Sequence, residues 1–292
     1  MVIILTDRDY RRRRRRYFLH ELLYRVKDGE VTAVGAQLTY YLILSIFPFL
    51  IFFLNLLSYT SIARDEVLDT FIIMLPIEVQ ILIKNVVSEI VGTSSDTLLS
   101  LGIILTLWTG SLGISAIIKA VNKAYDVENR RPYWKIKGLA IFFTIALAFV
   151  LILVLSMLVF GEIIGKRLFA RFGAIYVFSQ IWQLLRLVIP FVSMVIIFAL
   201  LYKLSPAPED GTTIRFRHIL PGALFTSVGW IIASMVFSYY VNNFGKYANT
   251  YGSLGGIIVL LVWLYITSIM IILGGEINGT YAYMKQNKDI EN

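Results

Sequence analysis

The chain has 292 residues, of which 58% are hydrophobic and 16% charged, and its mean hydropathy is +0.73. Soluble domains are roughly half apolar and about a quarter charged, so this composition excludes an ordinary soluble domain. The absence of cysteine excludes disulfides, thiolate metal sites and a cysteine nucleophile. The net charge of +8 allows either nucleic acid or an anionic membrane as a partner, and the positions of the charges decide between them.

Residues 1–32 form a basic segment ahead of the first long apolar stretch. Phe18, Leu22 and Val26, with Leu19 and Leu23, repeat at helical spacing, which predicts an amphipathic helix on an anionic membrane surface. An RNA-binding arm is the alternative, but the adjacent apolar stretch favours the membrane. The segment has no signal-peptide exit, so we predict that it is retained. The residues predicted to bind anionic headgroups here are Arg11, Arg12, Arg13, Arg14, Arg15 and Arg16.

Six apolar segments are long enough to cross a bilayer as helices, which takes about 20 residues. The predicted spans cover 34–59, 98–118, 138–160, 181–202, 219–240 and 254–275. Residues 60–97 carry too many charges to span, and their apolar spacing predicts an external amphipathic helix. The sequence therefore predicts an all-α polytopic membrane bundle of six transmembrane helices plus amphipathic interfacial helices. Its membrane domain covers 33–280, and a cytoplasmic tail covers 281–292.

The orientation of the bundle follows from its lysines and arginines. In the predicted topology 20 of the 27 lie on the side of the two termini, six lie on the other side, and Arg186 lies within a span. The positive-inside rule then places both termini in the cytoplasm of a cell or inner membrane. Most of the positive charge therefore faces the inner leaflet. Arg130 and Arg131 join the headgroup-binding surface, and the nucleic-acid interpretation loses its main support.

Prolines and glycines mark candidate hinges and sites of close helix packing. Pro48 and Pro190 each remove a backbone donor inside a predicted span, which favours a kink. Gly222 begins a row of small residues in span five, which predicts a close-packing stripe. Gly252 and Gly256, at the start of span six, are four residues apart and would share a face on a helix, where another backbone can approach closely. Small-residue faces of this kind could also contact a second copy of the chain or an envelope protein.

Polar residues within apolar spans are rare and mark candidate functional positions. Asn55 in span one should face protein or water. For Arg186 three interpretations stay open: snorkelling to the outer interface, pairing with Glu162, or contact with a phosphate or substrate. Tyr251 lies in a glycine-rich corner that is either tightly packed or a mobile hinge beside a substrate path. We take these residues as candidates for a substrate path.

Glu276 closes the last apolar span and is the remaining candidate for the path. The simplest interpretation is a solvated helix end at the inner face. The alternatives are a salt bridge to the loop that holds Arg130 and Arg131, or a role in proton coupling.

Several short patterns follow one another over about residues 20–280. They are A-x-L-x-Y-Y-x-x-x-S-x-x-P at 36–48, N-x-x-Y-x-V-x-x-x-R-P-x-W at 122–134, L-P-G-A at 220–223, Y-G-S-L-G at 251–255, and G-x-E at 274–276. In this order they resemble the YihY/BrkB family, long labelled ribonuclease BN-like. The resemblance implies a six-span inner-membrane protein, and some members of the family have been linked to envelope lipid export and to serum resistance.

The ribonuclease label can be tested on the residues. Metal-dependent phosphodiester cleavage needs clustered carboxylates or histidines, and the sequence shows no such cluster, no phosphate loop and no Ser/His/Asp set. We therefore predict no enzymatic activity and no cofactor. The leading hypothesis is a transporter or flippase-like protein that handles a lipid or another amphiphile without ATP. A scaffold that organises envelope partners is the alternative.

Overall fold

Long apolar runs fold as helices in this protein, because a helix satisfies the backbone polar groups of a membrane segment internally. The computed structural model describes residues 7–58, 80–81, 84, 96–128, 131–150, 175–207, 214–244 and 254–290, and some side chains within these ranges lie outside that description. All regular secondary structure in these ranges is helical.

The helices are numbered here in chain order. They are α1 (Asp7–Asp28), α2 (Val31–Ser58), α3 (Asp96–Ala124), α4 (described over Tyr133–Val150), α5 (Ile175–Leu204), α6 (Leu220–Phe244) and α7 (Leu254–Ile290). Within the described ranges, five helices have the length and composition to cross a membrane, and Val188–Leu204 of α5 is a shorter apolar helix. The predicted all-α polytopic membrane fold is confirmed.

Helices α3 and α7 extend well past the ends of the predicted spans. Helix α3 extends past the predicted end at 118 to Ala124, and α7 continues past 275 to Ile290. Both extensions are polar but contain no proline, so the helix persists where the apolar run stops. Helices α2 and α5 also run through Pro48 and Pro190, which lie in their interiors.

Helix α7 is the element that most of the bundle contacts. It packs against α6, α2, α3 and α1, while α2 packs along α3 and α5 packs along α6. The main buried core draws on α2, α3, α4, α5 and α6, with Leu38, Ile118, Phe143 and Tyr202 among its fully buried side chains. Large apolar side chains are exposed around the perimeter, as expected where lipid replaces water.

Helix α1 is docked on the bundle along part of its predicted apolar face. Val26 packs against the buried cluster of Val31, Ala120 and Ile272, and the Phe18 ring lies 4.8 Å from the ring of Tyr281. The other half of the predicted face remains outside, since Leu19 and Leu23 are 57% and 69% exposed. One part of the face predicted to lie on lipid therefore contacts the bundle, and the other part is exposed.

Candidate functional site

Glu276 lies inside helix α7, fourteen residues before that helix ends at Ile290. Its side chain is only 2% exposed, and no described residue gives its Oε2 atom a hydrogen bond. The interpretation of Glu276 as a solvated helix end is therefore wrong. The reason is local: α7 continues as a polar helix, and the ends of α1 and α3 cover this turn. Burying an unpaired carboxylate is costly, so this position is the centre of the candidate site.

Glu276 interacts electrostatically with four charged residues, namely Arg25, Lys123, Asp28 and Asp126. The backbone of Gly29, directly after α1, lies against the Glu276 carboxylate, where an added Cβ would overlap Oε1. The Lys123 ammonium donates to the carbonyl of Asp28 and ties α3 to the end of α1. The carboxylate is thus enclosed by the junction between α1 and α2 and by the end of α3.

Arg25 is the cation that organises this junction. Its Nε donates to Glu21 Oε1 at 2.9 Å, Nη1 to the carbonyl of Ala124 at 2.9 Å and Nη2 to Asp126 Oδ2 at 2.7 Å. The guanidinium also lies 4.7 Å from the ring centre of Tyr283. Burial alone would lower the pKa of Arg25, but the hydrogen bond and charge of Asp126, together with Glu21, raise it. The cation is therefore fixed at any working pH.

The chain end of α3 places Asp126 for this contact. The amide of Val127 donates to the carbonyl of Asn122 at 3.0 Å, and the amide of Asp126 donates to Lys123 O at 3.0 Å. This pattern is a Schellman C-cap, which needs a left-handed residue at the position of Asp126. Asp126 has φ of 54°, a conformation that aspartate tolerates better than most residues. The cap therefore directs the Asp126 carboxylate back toward Arg25.

Glycines near Glu276 let two helices, α6 and α3, approach α7 closely. A Cβ at Gly274 would overlap Thr226 Oγ1, and one at Gly279 would overlap the carbonyl oxygen of Ala124. The predicted stripe in span five faces this contact, because a Cβ at Gly222 would overlap the carbonyl of Gly274. The polar site is thus held between backbones rather than between long side chains.

A hydrogen-bonded set joins α5, α6 and α7 beside the glycines. Tyr202 Oη donates to the carbonyl of Ile271 at 2.6 Å and lies 2.8 Å from Thr226 Oγ1. Asn278 Oδ1 accepts the amide of Gly222 at 2.8 Å. Asn278 is fully buried, and among the described residues its Nδ2 has no acceptor. Glu276 and Asn278 therefore each bury one polar atom that the described chain does not satisfy.

An open pocket of about 350 Å³ adjoins the charged residues around Glu276. Lys123 and Asp126 belong to both the pocket and that charged group, and Lys119, Asn122, Val127 and Glu128 complete the lining. Burial raises the pKa of Tyr125, and no described residue gives its hydroxyl a partner. Polar and charged side chains at the end of α3 therefore line this pocket.

Arg131, which we predicted to bind headgroups, contacts the end of α5. It donates to the carbonyls of Leu204, Ser205 and Pro206 at 2.8, 3.2 and 2.9 Å. Asn122 Nδ2 donates to Ser205 O as well, at 3.0 Å. Arg131 therefore caps α5, and its headgroup contact stays a prediction.

Many predicted positions lie outside the described residues or side chains. Asn55 and Arg186 lie in α2 and α5, but their side chains are not described. The positions that lie outside the description altogether are Glu162, Tyr251, Gly252 and Arg130. Gly256 is buried in α7. In α1 the arginine run is helical, and Arg16 is the one whose side chain is described and exposed.

Sequence reasoning missed Arg25, Asn278 and Lys137. Arg25 and Lys137 were counted only among the positive charges that orient the chain in the membrane. Asn278 lies two residues after Glu276, which was interpreted as a helix end. The dense small residues of G-G-E-I-N-G at 274–279 were the available signal, because glycines around a polar pair indicate close backbone approach. Within the described part of the chain, no three His, Asp or Glu side chains are grouped to hold a metal ion.

Comparison with known proteins is consistent with this architecture. The family model described as Virulence factor BrkB matches residues 22–292. The chain is 39% identical over 272 residues to the ribonuclease-like protein YfkH of Bacillus subtilis, covering 93% of this chain and 98% of that relative. It is 27% identical over 270 residues to a UPF0761 membrane protein of Pseudoalteromonas atlantica, covering 91% and 86%. No solved structure matches it.

A bundle of span-length apolar helices with a polar site enclosed between them defines a polytopic membrane protein. The chain belongs to the Virulence factor BrkB family, which confirms the resemblance drawn from its short patterns. The term ribonuclease-like is part of the name of YfkH and belongs to that relative alone.

Proposed function

We propose that this protein is a transporter or flippase-like protein of the cell membrane that handles a lipid or another amphiphile without ATP and without enzymatic turnover. The observation that carries the proposal is the Glu276–Asn278 site. A carboxylate and an amide are buried between membrane helices, and each leaves a polar atom without a described partner. Ionisable residues in such places generally line substrate or proton paths.

A scaffold would need the close helix contacts but not this polarity. Glycine crossings and the apolar core already hold α6 and α7 together, and an apolar residue in place of Glu276 would avoid a desolvation cost of several kcal/mol. Retaining the carboxylate therefore favours a role that uses its charge or its proton. The pocket lined by Lys123 and Asp126, which interact electrostatically with Glu276, would serve such a role as an entrance.

The test is lipid movement in vesicles that contain the purified protein. Fluorescent phospholipid in the inner leaflet is protected from an external quencher, and transport should remove that protection. We expect Glu276→Gln to slow the protein-dependent rate about tenfold, equivalent to ~1.4 kcal/mol on the barrier. Glu30→Gln, an exposed carboxylate at the start of α2, should leave the rate unchanged. A rate equal to that of protein-free vesicles, for phospholipids of every headgroup charge, would contradict transport and favour the scaffold.

We further propose the inner membrane as location, with both termini cytoplasmic and the segment 1–32 resting on anionic lipid. The chain lacks cysteine, so one introduced cysteine is its only thiol. Lys84→Cys should react with a membrane-impermeant maleimide in intact cells, and Lys135→Cys should react only after lysis; both positions are exposed. Labelling of Lys135→Cys in intact cells, with Lys84→Cys protected, would show that the orientation is the opposite of the one proposed.

A further inference from the structure

Lys137 carries a buried charge at a distance from the Glu276 site. It lies in the second turn of α4 and is 8% exposed. Its ammonium donates to Ser111 Oγ at 2.6 Å and lies 4.5 Å from the ring centre of Trp108, both on α3. No carboxylate of the described residues is within ion-pairing distance of it. One of its three N–H groups is therefore used, and its charge is not neutralised by the described chain.

The ammonium points into the bundle and not toward the membrane surface. Tyr133 and Trp134, which are 63% and 81% exposed, begin α4 with the aromatic pair typical of a membrane interface. Lys137 follows one turn later and could snorkel back to that interface. Its ammonium instead lies on Ser111, which is eight residues, or about 12 Å, along α3 from exposed Lys119. The charge is thus held in the apolar layer.

The neighbouring groups fix the ammonium in this position. Ser111 Oγ donates to the carbonyl of Trp108 at 2.7 Å, so its lone pairs are left for Lys137. Gly110 brings α3 and α4 together beside it, since an added Cβ would lie 2.8 Å from Thr144 Cγ2. Trp108 itself is 59% exposed, so the ring that contacts the ammonium lies at the perimeter of the bundle. The Trp108 ring therefore lies between the ammonium and the surrounding lipid.

We propose that Lys137, Ser111 and Trp108 form a lipid-accessible site for the anionic headgroup of a membrane lipid, with a phosphate oxygen accepting the free N–H groups of Lys137. An ammonium in an apolar layer needs an anion, and an anionic lipid that enters from the side supplies one. The proposal does not rest on transport, because a lipid can occupy this site without crossing the membrane.

The test is photo-crosslinking of the purified full-length protein in vesicles. A phosphatidylglycerol with a diazirine near its headgroup should label peptides of α3 and α4 around 104–111 and 133–141, and the matched phosphatidylcholine should not. Lys137→Gln should lower this labelling about fivefold, equivalent to ~1 kcal/mol, while labelling of the arginine segment 11–16 stays constant. Lys135→Gln, which removes an exposed lysine of α4 two residues before Lys137, should leave labelling at 104–111 unchanged.

Two further arms keep the result decisive. Excess inorganic phosphate should not reduce labelling by phosphatidylglycerol. Complete loss of labelling would assign the site to a soluble anion and would overturn the proposal of a lipid site. Lys137→Arg keeps the charge and should retain most labelling. Unchanged labelling in a folded Lys137→Gln variant would overturn the site. If that variant does not fold, the unsubstituted protein still decides, since equal labelling of α3 by the two lipids would overturn it.

Discussion

Replacing Gly279 by alanine is expected to destabilise the protein by at least about 2 kcal/mol, in the range of overpacked cores. The added Cβ would overlap the carbonyl oxygen of Ala124 and lie 2.7 Å from its carbonyl carbon. Both are backbone atoms at the end of α3, so no side chain can rotate away. The same carbonyl accepts Arg25 Nη1 at 2.9 Å, and moving it would weaken that contact too. Thermal unfolding in detergent should show a midpoint lower by roughly 5 °C or more.

Gly138→Ala is the matched control for this substitution. Gly138 is also a helical glycine, but a Cβ there meets nothing within 4 Å. Alanine should therefore raise stability by about 1 kcal/mol through helix propensity alone. An equal loss in both variants would show that glycine is required generally, and no loss at Gly279 would contradict the close approach of α3 and α7.

The fold could be predicted from sequence because it depends on length and hydropathy. Apolar runs of about 20 residues must become helices in a bilayer, whatever their neighbours. The helix ends could not be placed in this way. Helix α7 continues to Ile290 through a polar stretch, since 276–290 contains no proline. Hydropathy marks where a helix leaves lipid, and that is a different position from where the helix ends.

The site was less predictable because its polar residues depend on what covers them. Glu276 was found from its place after an apolar run, but its burial comes from α1 and α3, which are distant in sequence. Lys137 was counted among loop lysines because it lies near a charged segment, whereas its side chain turns inward onto Ser111. Sequence patterns show that such a residue is charged, but they do not show which way its side chain points.

Arg25 is the residue that joins the cover over Glu276 to the rest of the bundle. It is 7% exposed, and its three donor groups contact Glu21 on α1, the last carbonyl of α3 and the cap residue Asp126. Three acceptors in three directions match the fixed fork of a guanidinium, which a lysine cannot reproduce. Removing it leaves a carbonyl and the Glu21 carboxylate without their donor.

Arg25→Met is therefore expected to cost about 3 kcal/mol, the lower end for breaking a buried ion pair, because Asp126 at 67% side-chain exposure can be solvated. Arg25→Lys should recover less than half of the loss. Lys27→Met, two residues later and exposed, is the control and should be close to neutral. Equilibrium unfolding in mixed micelles measures all three.

A second substitution separates the ion pair from the helix cap. Glu21→Met added to Arg25→Met removes the stranded carboxylate, so the double variant should be more stable than Arg25→Met alone. The part that is not recovered then measures the contacts of Arg25 with Ala124 and Asp126. If Arg25→Met and Lys27→Met behave alike, Arg25 does not hold the cover over Glu276. The buried carboxylate must then be enclosed by the glycine crossings of α7 alone.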